Sequence, residues 1–294
     1  MSSVKRFFKA IFSWRGFVAL LFMLFFVVPV VQSWRIETLR ENAIRTLEKK
    51  RGSRVIVLIH RQESVNVLGI PVVRYINIDD SEDVLKAIRL TDKKIPLDLI
   101  LHTPGGLVLA ASQIAKAVKR HPAKTTVFVP HYAMSGGTLI ALAANEIVMD
   151  ANAVLGPIDP QLGDFPAASV LKVLEKKPVD KIEDLTLVLA DQSKKAIAQV
   201  SALAQELLSG KMATTKAREI ADRLASGTWT HDFPISAEIA KDLIGLPVRT
   251  EMPEEVFQLT SLYPQPHEAQ PSVFYLPGPR YKKKEPPGQE TATP

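Results

Sequence analysis

Leu99-Ile100-Leu101-His102-Thr103-Pro104-Gly105-Gly106 and, about thirty residues on, Pro130-His131-Tyr132-Ala133-Met134-Ser135-Gly136-Gly137-Thr138 share one layout. In each, a strand pattern runs into a small or polar corner, and paired glycines then open a helical pattern. A helix N-terminus carries unpaired N–H groups and the positive end of the dipole, which suits a developing anion. Such a turn can supply an oxyanion hole, where one donor is worth about 2.7–4 kcal/mol of transition-state stabilisation. A serine at the corner stands exposed beside those donors, as at the nucleophile elbow of other hydrolases. Glycines in such places also serve tight turns and close helix packing.

Outward from these turns, strand and helix patterns alternate. Val55 to Ile59, Leu97 to Leu101, Thr125 to Val129 and Glu146 to Met149 read as buried strands. Val72 to Ile78 reads as a further strand, with Ser81 capping the helix after it. Residues 107–120 and 136–144 read as helices. Short connections between alternating strands and helices imply parallel pairing and an α/β core. After about residue 165 helices dominate, over 183–208, 212–225 and 236–243. They suit a cover over the core or a contact surface between subunits. The expected organisation is a basic flank over 1–15, an anchor over 16–34, a juxtamembrane helix over 35–53, a catalytic domain over 54–263 and a disordered Pro- and Lys-rich tail over 264–294.

The chain has no cysteine, which excludes disulfides, thiolate metal sites and a cysteine nucleophile. Its net charge of +6 is not gathered on one face but lies before the apolar run and in the tail, which argues against nucleic acid as a partner. Gly16 to Trp34 holds no charged residue, and nineteen helical residues nearly match a hydrocarbon core of about 30 Å. Trp14 and Trp34 bracket it as interfacial aromatics do. A single-pass anchor in the cell membrane is the expectation. A cleavable signal peptide ending near Val31-Gln32-Ser33 is the rival. Lys5, Arg6, Lys9 and Arg15 before the span place the catalytic domain outside the cytoplasm. The basic residues from Arg35 to Arg51 pull the other way.

The paired turns resemble those of the Clp protease proteolytic subunit and of signal peptide peptidase A. The stretch from about 54 to 275 more closely resembles the serine dehydrogenase proteinases. Its marks are the two turns with Gly156-Pro157-Ile158-Asp159-Pro160-Gln161 and Trp229-Thr230-His231-Asp232. The resemblance implies an α/β Clp-protease/crotonase-like core of repeated β-β-α units with a helical C-terminal cover. It also implies a serine-type endopeptidase, a homo-oligomer, and peptides or membrane-protein segments as substrates. By it Ser135 is the nucleophile, and backbone amides of Gly105 or Gly106 and of Gly136 hold the oxyanion. A catalytically inactive membrane scaffold of the same fold is the alternative, and a crotonase-like acyl-CoA enzyme a third.

The Clp-type triad puts a histidine about twenty-five residues after the serine, where this chain has Asp159-Pro160-Gln161. Signal peptide peptidases use a lysine, which burial can deprotonate near neutral pH. Lys195 shares a stripe with Val188, Ala198 and Ala202 and is the first candidate base; Lys181 is the second. His231 is the alternative base. Its neighbour Asp232 cannot easily orient it, because adjacent side chains diverge, so a structural or substrate-facing role is expected. His102, His131 and Tyr132 stand beside the turns and are expected to line the cleft. The histidines lack zinc spacing and no nucleotide motif is present, so neither metal nor cofactor is expected.

Overall fold

A computed structural model describes residues 14–60, 65–67, 70–72 and 74–263. The expected tail and most of the basic flank lie outside these residues. Helix α1 (Trp14–Phe22), a π-helical stretch (Met23–Val27) and helix α2 (Val28–Arg51) follow one another without a break. The helical segment from Leu20 to Arg51 has a mean hydropathy of 1.6 over its most apolar window, none of it buried, and is long and apolar enough to cross a membrane. The expected anchor and juxtamembrane helix are thus one rod.

Five strands form a parallel sheet in the order β1 (Arg54–Ile59), β4 (Leu97–His102), β5 (Thr125–Val129), β7 (Glu146–Met149) and β12 (Val248–Arg249). β4 and β5 are buried at every residue, including the polar Asp98, His102, Thr125 and Thr126, as strands covered on both faces are. Successive side chains alternate between the faces. Leu97, Leu99, Leu101, Val127, Val129, Ile147 and Met149 join the larger core, with Ala111, Ile114 and Val118 of helix α4 (Val108–Arg120) and Leu139 to Ala143 of helix α5 (Gly136–Ala143). Ile100, Phe128 and Val148 point the other way. There they meet Leu47 of α2 and Val256 and Leu259 of helix α9 (Glu254–Ser261).

That second face carries the root of the rod. Arg51 pairs with the buried Asp98, which also accepts from Ser53 Oγ at 2.6 Å. The Arg51 guanidinium lies 4.8 Å from the Phe128 ring centroid. Arg40 donates to the Leu262 carbonyl at 3.0 Å and stacks over Tyr263, while Lys50 bonds Glu255.

Helix α3 (Ile78–Arg89) starts earlier than the sequence suggested. Asn77, not Ser81, is its cap: Asn77 Oδ1 accepts from the Asp80 amide at 3.0 Å and Asp80 Oδ2 from the Asn77 amide at 2.8 Å. This reciprocal box satisfies two end donors at once and outcompetes the single hydroxyl of Ser81, which instead donates to the Ile78 carbonyl. Among the described residues of the strand expected over 72–78, Val72 ends a strand and none from 74 on lies in one. Residues 70–72 form β3 (Ile70–Val72), paired with β2 (Val65–Val67), and Ile76 makes an isolated bridge to Gly106.

A second, smaller sheet lines up β6 (Tyr132–Ala133), β8 (Val154–Leu155) and β11 (Ile235–Ser236). β9 (Gln161–Leu162) and β10 (Phe165–Pro166) form a hairpin leading into helix α6 (Ala167–Lys176). Helix α7 (Asp184–Leu208) packs on α6, on helix α8 (Thr214–Ala225) and on α5. The last expected helix is a π-helical turn, Ile239–Ile244.

The segment between α7 and α8 brings Lys211 to the C-terminal end of α5. Its Nζ donates to the carbonyls of Leu142 at 2.6 Å and Ala144 at 2.5 Å, capping the negative end of the helix. Burial, aided by the nearby Lys119 ammonium, pushes Lys211 from an ordinary 10.5 down to about 7. Between those values the unfolded chain binds more protons than the folded one, so this group makes stability rise as pH climbs from about 7 to about 10.5. Denaturant unfolding of wild type and Lys211→Met across that window checks the sign: the variant is expected to lack that rise.

Candidate active site

The corner between β6 and α5 is where the chain is most strained. Ser135 has φ 48° and ψ −111°, and it is the one non-glycine residue of positive φ among those described. Such a conformation costs on the order of 1–3 kcal/mol and persists only when its surroundings fix it. They do so from both sides. Ala133 is bridged to Thr103, whose amide donates to the Tyr132 carbonyl at 3.1 Å and whose carbonyl accepts from Met134 at 2.9 Å. Beyond the corner, the buried Thr138 hydroxyl lies 2.8 Å from both the Ala133 and the Gly156 carbonyl oxygens, donates its one proton between them, and accepts from the Gly156 amide. Ser135 is half-buried and its side chain caps no helical amide.

The other turn lies directly against this corner. A Cβ on Gly105 would sit 2.8 Å from Ser135 Cβ and 3.0 Å from the Gly136 nitrogen. A Cβ on Gly106 would fall 2.3 Å from the Ile76 carbonyl oxygen. Both glycines have positive φ, 107° and 154°. The two expected oxyanion donors of this turn are not equivalent. The Gly105 amide already donates to Thr103 Oγ1 at 3.2 Å. Around Gly106, the Ile76 amide donates to the Gly105 carbonyl and the Leu107 amide to the Ile76 carbonyl. This parallel-bridge pattern leaves the Gly106 amide pointing away from Ile76. Gly136, at the first turn of α5, is close by: its own Cβ position lies 3.5 Å from the Gly106 nitrogen.

Ser135, Gly106 and Gly136 line a cavity of about 230 Å³ together with Asp159, Gln161 and His231. His231 Nδ1 and Asp159 Oδ1 are 2.9 Å apart, and Gln161 Nε2 donates to the other carboxylate oxygen at 2.7 Å. The Asp159 side chain is 2% exposed and the His231 side chain 34%. With Nδ1–H donated to the carboxylate, Nε2 keeps its lone pair for the cavity. This is the tautomer and the burial order of a base and its orienting acid.

Sequence reasoning set Asp232 aside as a partner for His231 and missed Asp159 in that role. The pairing comes from strand register. β8 and β11 are antiparallel, with Leu155 opposite Ile235 and Val154 opposite Ser236. Past that pair the two segments continue as loops, one to Asp159 and the other back to His231, and the two side chains meet at 2.9 Å.

The lysines stand elsewhere. Lys195 is 59% exposed and bonds Asp191 at 2.5 Å. It does not line the Ser135 cavity. The inward face of α7 is set by Ala190, Ser193, Val200, Ala204 and Leu207. Lys195 lies two residues, about 200° of helical rotation, from Ser193. Val188, on the stripe that suggested it, is 58% exposed. Lys181 is exposed in a short 3-10 turn. Lys211 is largely buried, but it sits at the far end of α5, about 12 Å along the axis from the serine. His102, His131 and Tyr132 stay together away from the cavity lining. His102 stacks on His131 at 5.3 Å and meets Tyr132 edge-on at 4.4 Å. Alternation along β4 turns His102 to the face opposite Leu101.

A family model described as ClpP-like SDH-type serine proteinase matches residues 8–291. An uncharacterized protein of Methanocaldococcus jannaschii is 54% identical over 269 residues, covering 92% of this chain and 91% of its own. A second protein of that organism is 55% identical over 260 residues, covering 88% and 91%. Among solved structures, ClpP1 from Listeria monocytogenes is similar at a TM-score of 0.43 and 17% identity, covering 72% of this chain and 99% of its own. A variant of the membrane-bound stomatin-specific protease 1510-N is similar at 0.43 and 20%, covering 63% and 79%. With nearly its whole length matched by the family model, the chain belongs to the ClpP-like SDH-type serine proteinases and is a serine-type peptidase.

Proposed function

We propose that this protein is a membrane-anchored, ATP-independent endopeptidase in which Ser135 is the nucleophile, His231 the general base and Asp159 the acid that orients it. The observation that carries the reading is the His231–Asp159 bond of 2.9 Å beside the strained serine in one cavity. It replaces Lys195 as the base, because Lys195 is exposed, paired with Asp191 and outside the lining of the Ser135 cavity.

On this reading Ser135 Oγ attacks the scissile carbonyl and its proton passes to His231 Nε2. Asp159 stabilises the imidazolium that results. The oxygen that gains charge is held by the amides of Gly106 and Gly136, fixed before the substrate arrives. His231 then protonates the leaving amine. It next takes a proton from the water that hydrolyses the acyl-enzyme. No hydrogen bond joins Ser135 to His231 in the structure, and the mechanism requires the two side chains to come together when substrate fills the cavity they share. Catalytic contacts are often loose before substrate binds.

Peptides or membrane-protein segments are the proposed substrates, and the apolar rod over α1 and α2 is the proposed single-pass anchor. The basic residues before the span favour a catalytic domain outside the cytoplasm. A homo-oligomer is proposed through α7, where Leu185 and Val188 are 67% and 58% exposed.

Labelling by a fluorophosphonate probe tests the chemistry. Ser135→Ala is expected to abolish it, and His231→Ala or Asp159→Asn to slow it by about 10⁴-fold. Lys195→Ala is expected to label like wild type. Loss with Lys195→Ala but not His231→Ala would return the base to lysine, and an unlabelled folded wild type would favour the inactive scaffold. Gly106→Ala forces a Cβ into the Ile76 backbone. Labelling is expected to fall by about 10²- to 10³-fold, the worth of one oxyanion donor. For the anchor, full-length protein is expected to stay in membrane pellets after an alkaline wash, and a chain begun at Arg35 to be released.

A further inference from the structure

His60, immediately after β1, is a buried member of a polar ring that reaches the exposed Asn77. It is 6% exposed. Its Nε2 lies 3.3 Å from Asp80 Oδ2 and its Nδ1 3.1 Å from Thr103 Oγ1. Thr103, itself fully buried, accepts from the Gly105 amide at 3.2 Å. Gly105 is tied through its carbonyl to the Ile76 amide at 2.7 Å. Asn77, next along the chain, completes the capping box with Asp80. The bonds therefore close on themselves: His60, Thr103, Gly105, Ile76, Asn77, Asp80 and back to His60.

The donors run in one sense round the histidine. With Asp80 accepting from Nε2–H, His60 Nδ1 holds a lone pair and accepts the Thr103 hydroxyl proton. The hydroxyl oxygen is then free to accept from Gly105. The trio has the chemistry of a hydroxyl, an imidazole and a carboxylate in series, but its hydroxyl is sealed from any substrate. Its effect must reach the reaction through the backbone it holds. If the Gly105 amide were released from Thr103, the peptide plane before Gly105 would loosen, and the Ile76 bond to the Gly105 carbonyl would alone hold the plane that carries the Gly106 amide. The Gly106 amide would then be less firmly aimed.

We infer that His60, held by Asp80, is a positioning residue for the peptidase. It locks the Thr103 hydroxyl, and through it the Gly105 amide, so that the neighbouring Gly106 amide stays directed at the oxyanion. The inference rests on the reading of Ser135 as nucleophile and of Gly106 as an oxyanion donor.

The geometry of the ring gives a test that simple destabilisation does not mimic. An asparagine at position 60 places its amide where Nδ1 was and can still meet Thr103. A glutamine reaches the Nε2 position and meets only Asp80. Full-length protein carrying His60→Leu, His60→Asn, His60→Gln, Thr103→Val or Thr103→Ser would be reacted with a fluorophosphonate probe, with melting temperature measured alongside. The readouts are the limiting labelling rate of Ser135 and the half-saturating probe concentration. His60→Leu, His60→Gln and Thr103→Val are expected to lower the limiting rate on the order of 10²-fold, as a small misplacement of catalytic groups does. The half-saturating concentration should stay unchanged, and His60→Asn and Thr103→Ser should recover most of the rate. Folded His60→Leu labelling at the wild-type rate would overturn the inference alone. Equal rates for the asparagine and glutamine variants would do so too, and that pair decides the matter if the leucine variant does not fold. Wild-type protein that does not label at Ser135 would overturn the underlying reading and this inference with it.

Discussion

Two turns of the chain touch so closely that the first has no room for a side chain at Gly105, and this contact organises the molecule. A Cβ on Gly105 would press on Ser135 and Gly136, and one on Gly106 would strike the Ile76 backbone. Each turn ends a strand on one side and opens a helix on the other, so the contact joins the main sheet, the small sheet and α5 at one point. The strain at Ser135 is sustained there because the Thr103 bridge, the Thr138 hydroxyl and the start of α5 leave the corner no alternative. A relaxed serine would be easier to fold and worse placed. The local cost is met by cores on both faces of the sheet, where each fully buried Leu, Ile or Val contributes about 1.5–3 kcal/mol.

Helix α5 shows how polarity is rationed in such a centre. All eight of its residues are buried, and its polar groups are dealt with at the ends. At its N-terminus Gly136 lines the cavity, and its last carbonyls receive Lys211. The helix is thus closed by a lysine amine at one end and meets the cavity at the other. Helix α7 lies across it and supplies Val200 to the cavity wall.

Much of this was legible in the sequence where the signal is local. Strands buried on both faces announce themselves as apolar runs, and β4, β5 and β7 fell within a residue of expectation. The serine corner was readable from its glycines. What escaped was whatever depends on distant partners. The stretch before α3 looked like a strand because Val72, Val73, Tyr75 and Ile76 favour one, but the Asn77–Asp80 box decided the outcome. Lys195 was chosen from a stripe of small residues. Smallness does not say which face turns inward, and the packing of α7 on α5, α6 and α8 put the opposite face inside. Asp159 and His231 are 72 residues apart. Only the antiparallel register of two-residue strands makes them neighbours, and strands that short leave almost no periodic trace. The ring around His60 was invisible for the same reason.

The rod that begins in the apolar segment and ends at Arg51 runs without a hinge into the sheet. Its root is pinned by Leu47, by the Arg51–Asp98 pair and by the bonds of Arg40 and Lys50 to α9. From Trp34 to Leu47 is about 20 Å of helix. On the anchored reading, the catalytic unit is therefore a tool on a fixed stand rather than one on a tether. It gains no search volume from linker motion, and the height and tilt of its cleft above the bilayer are set by the helix. Selection among proteins in the same membrane then begins before any side chain is recognised: a bond held too near the lipid, or too far from it, passes out of range.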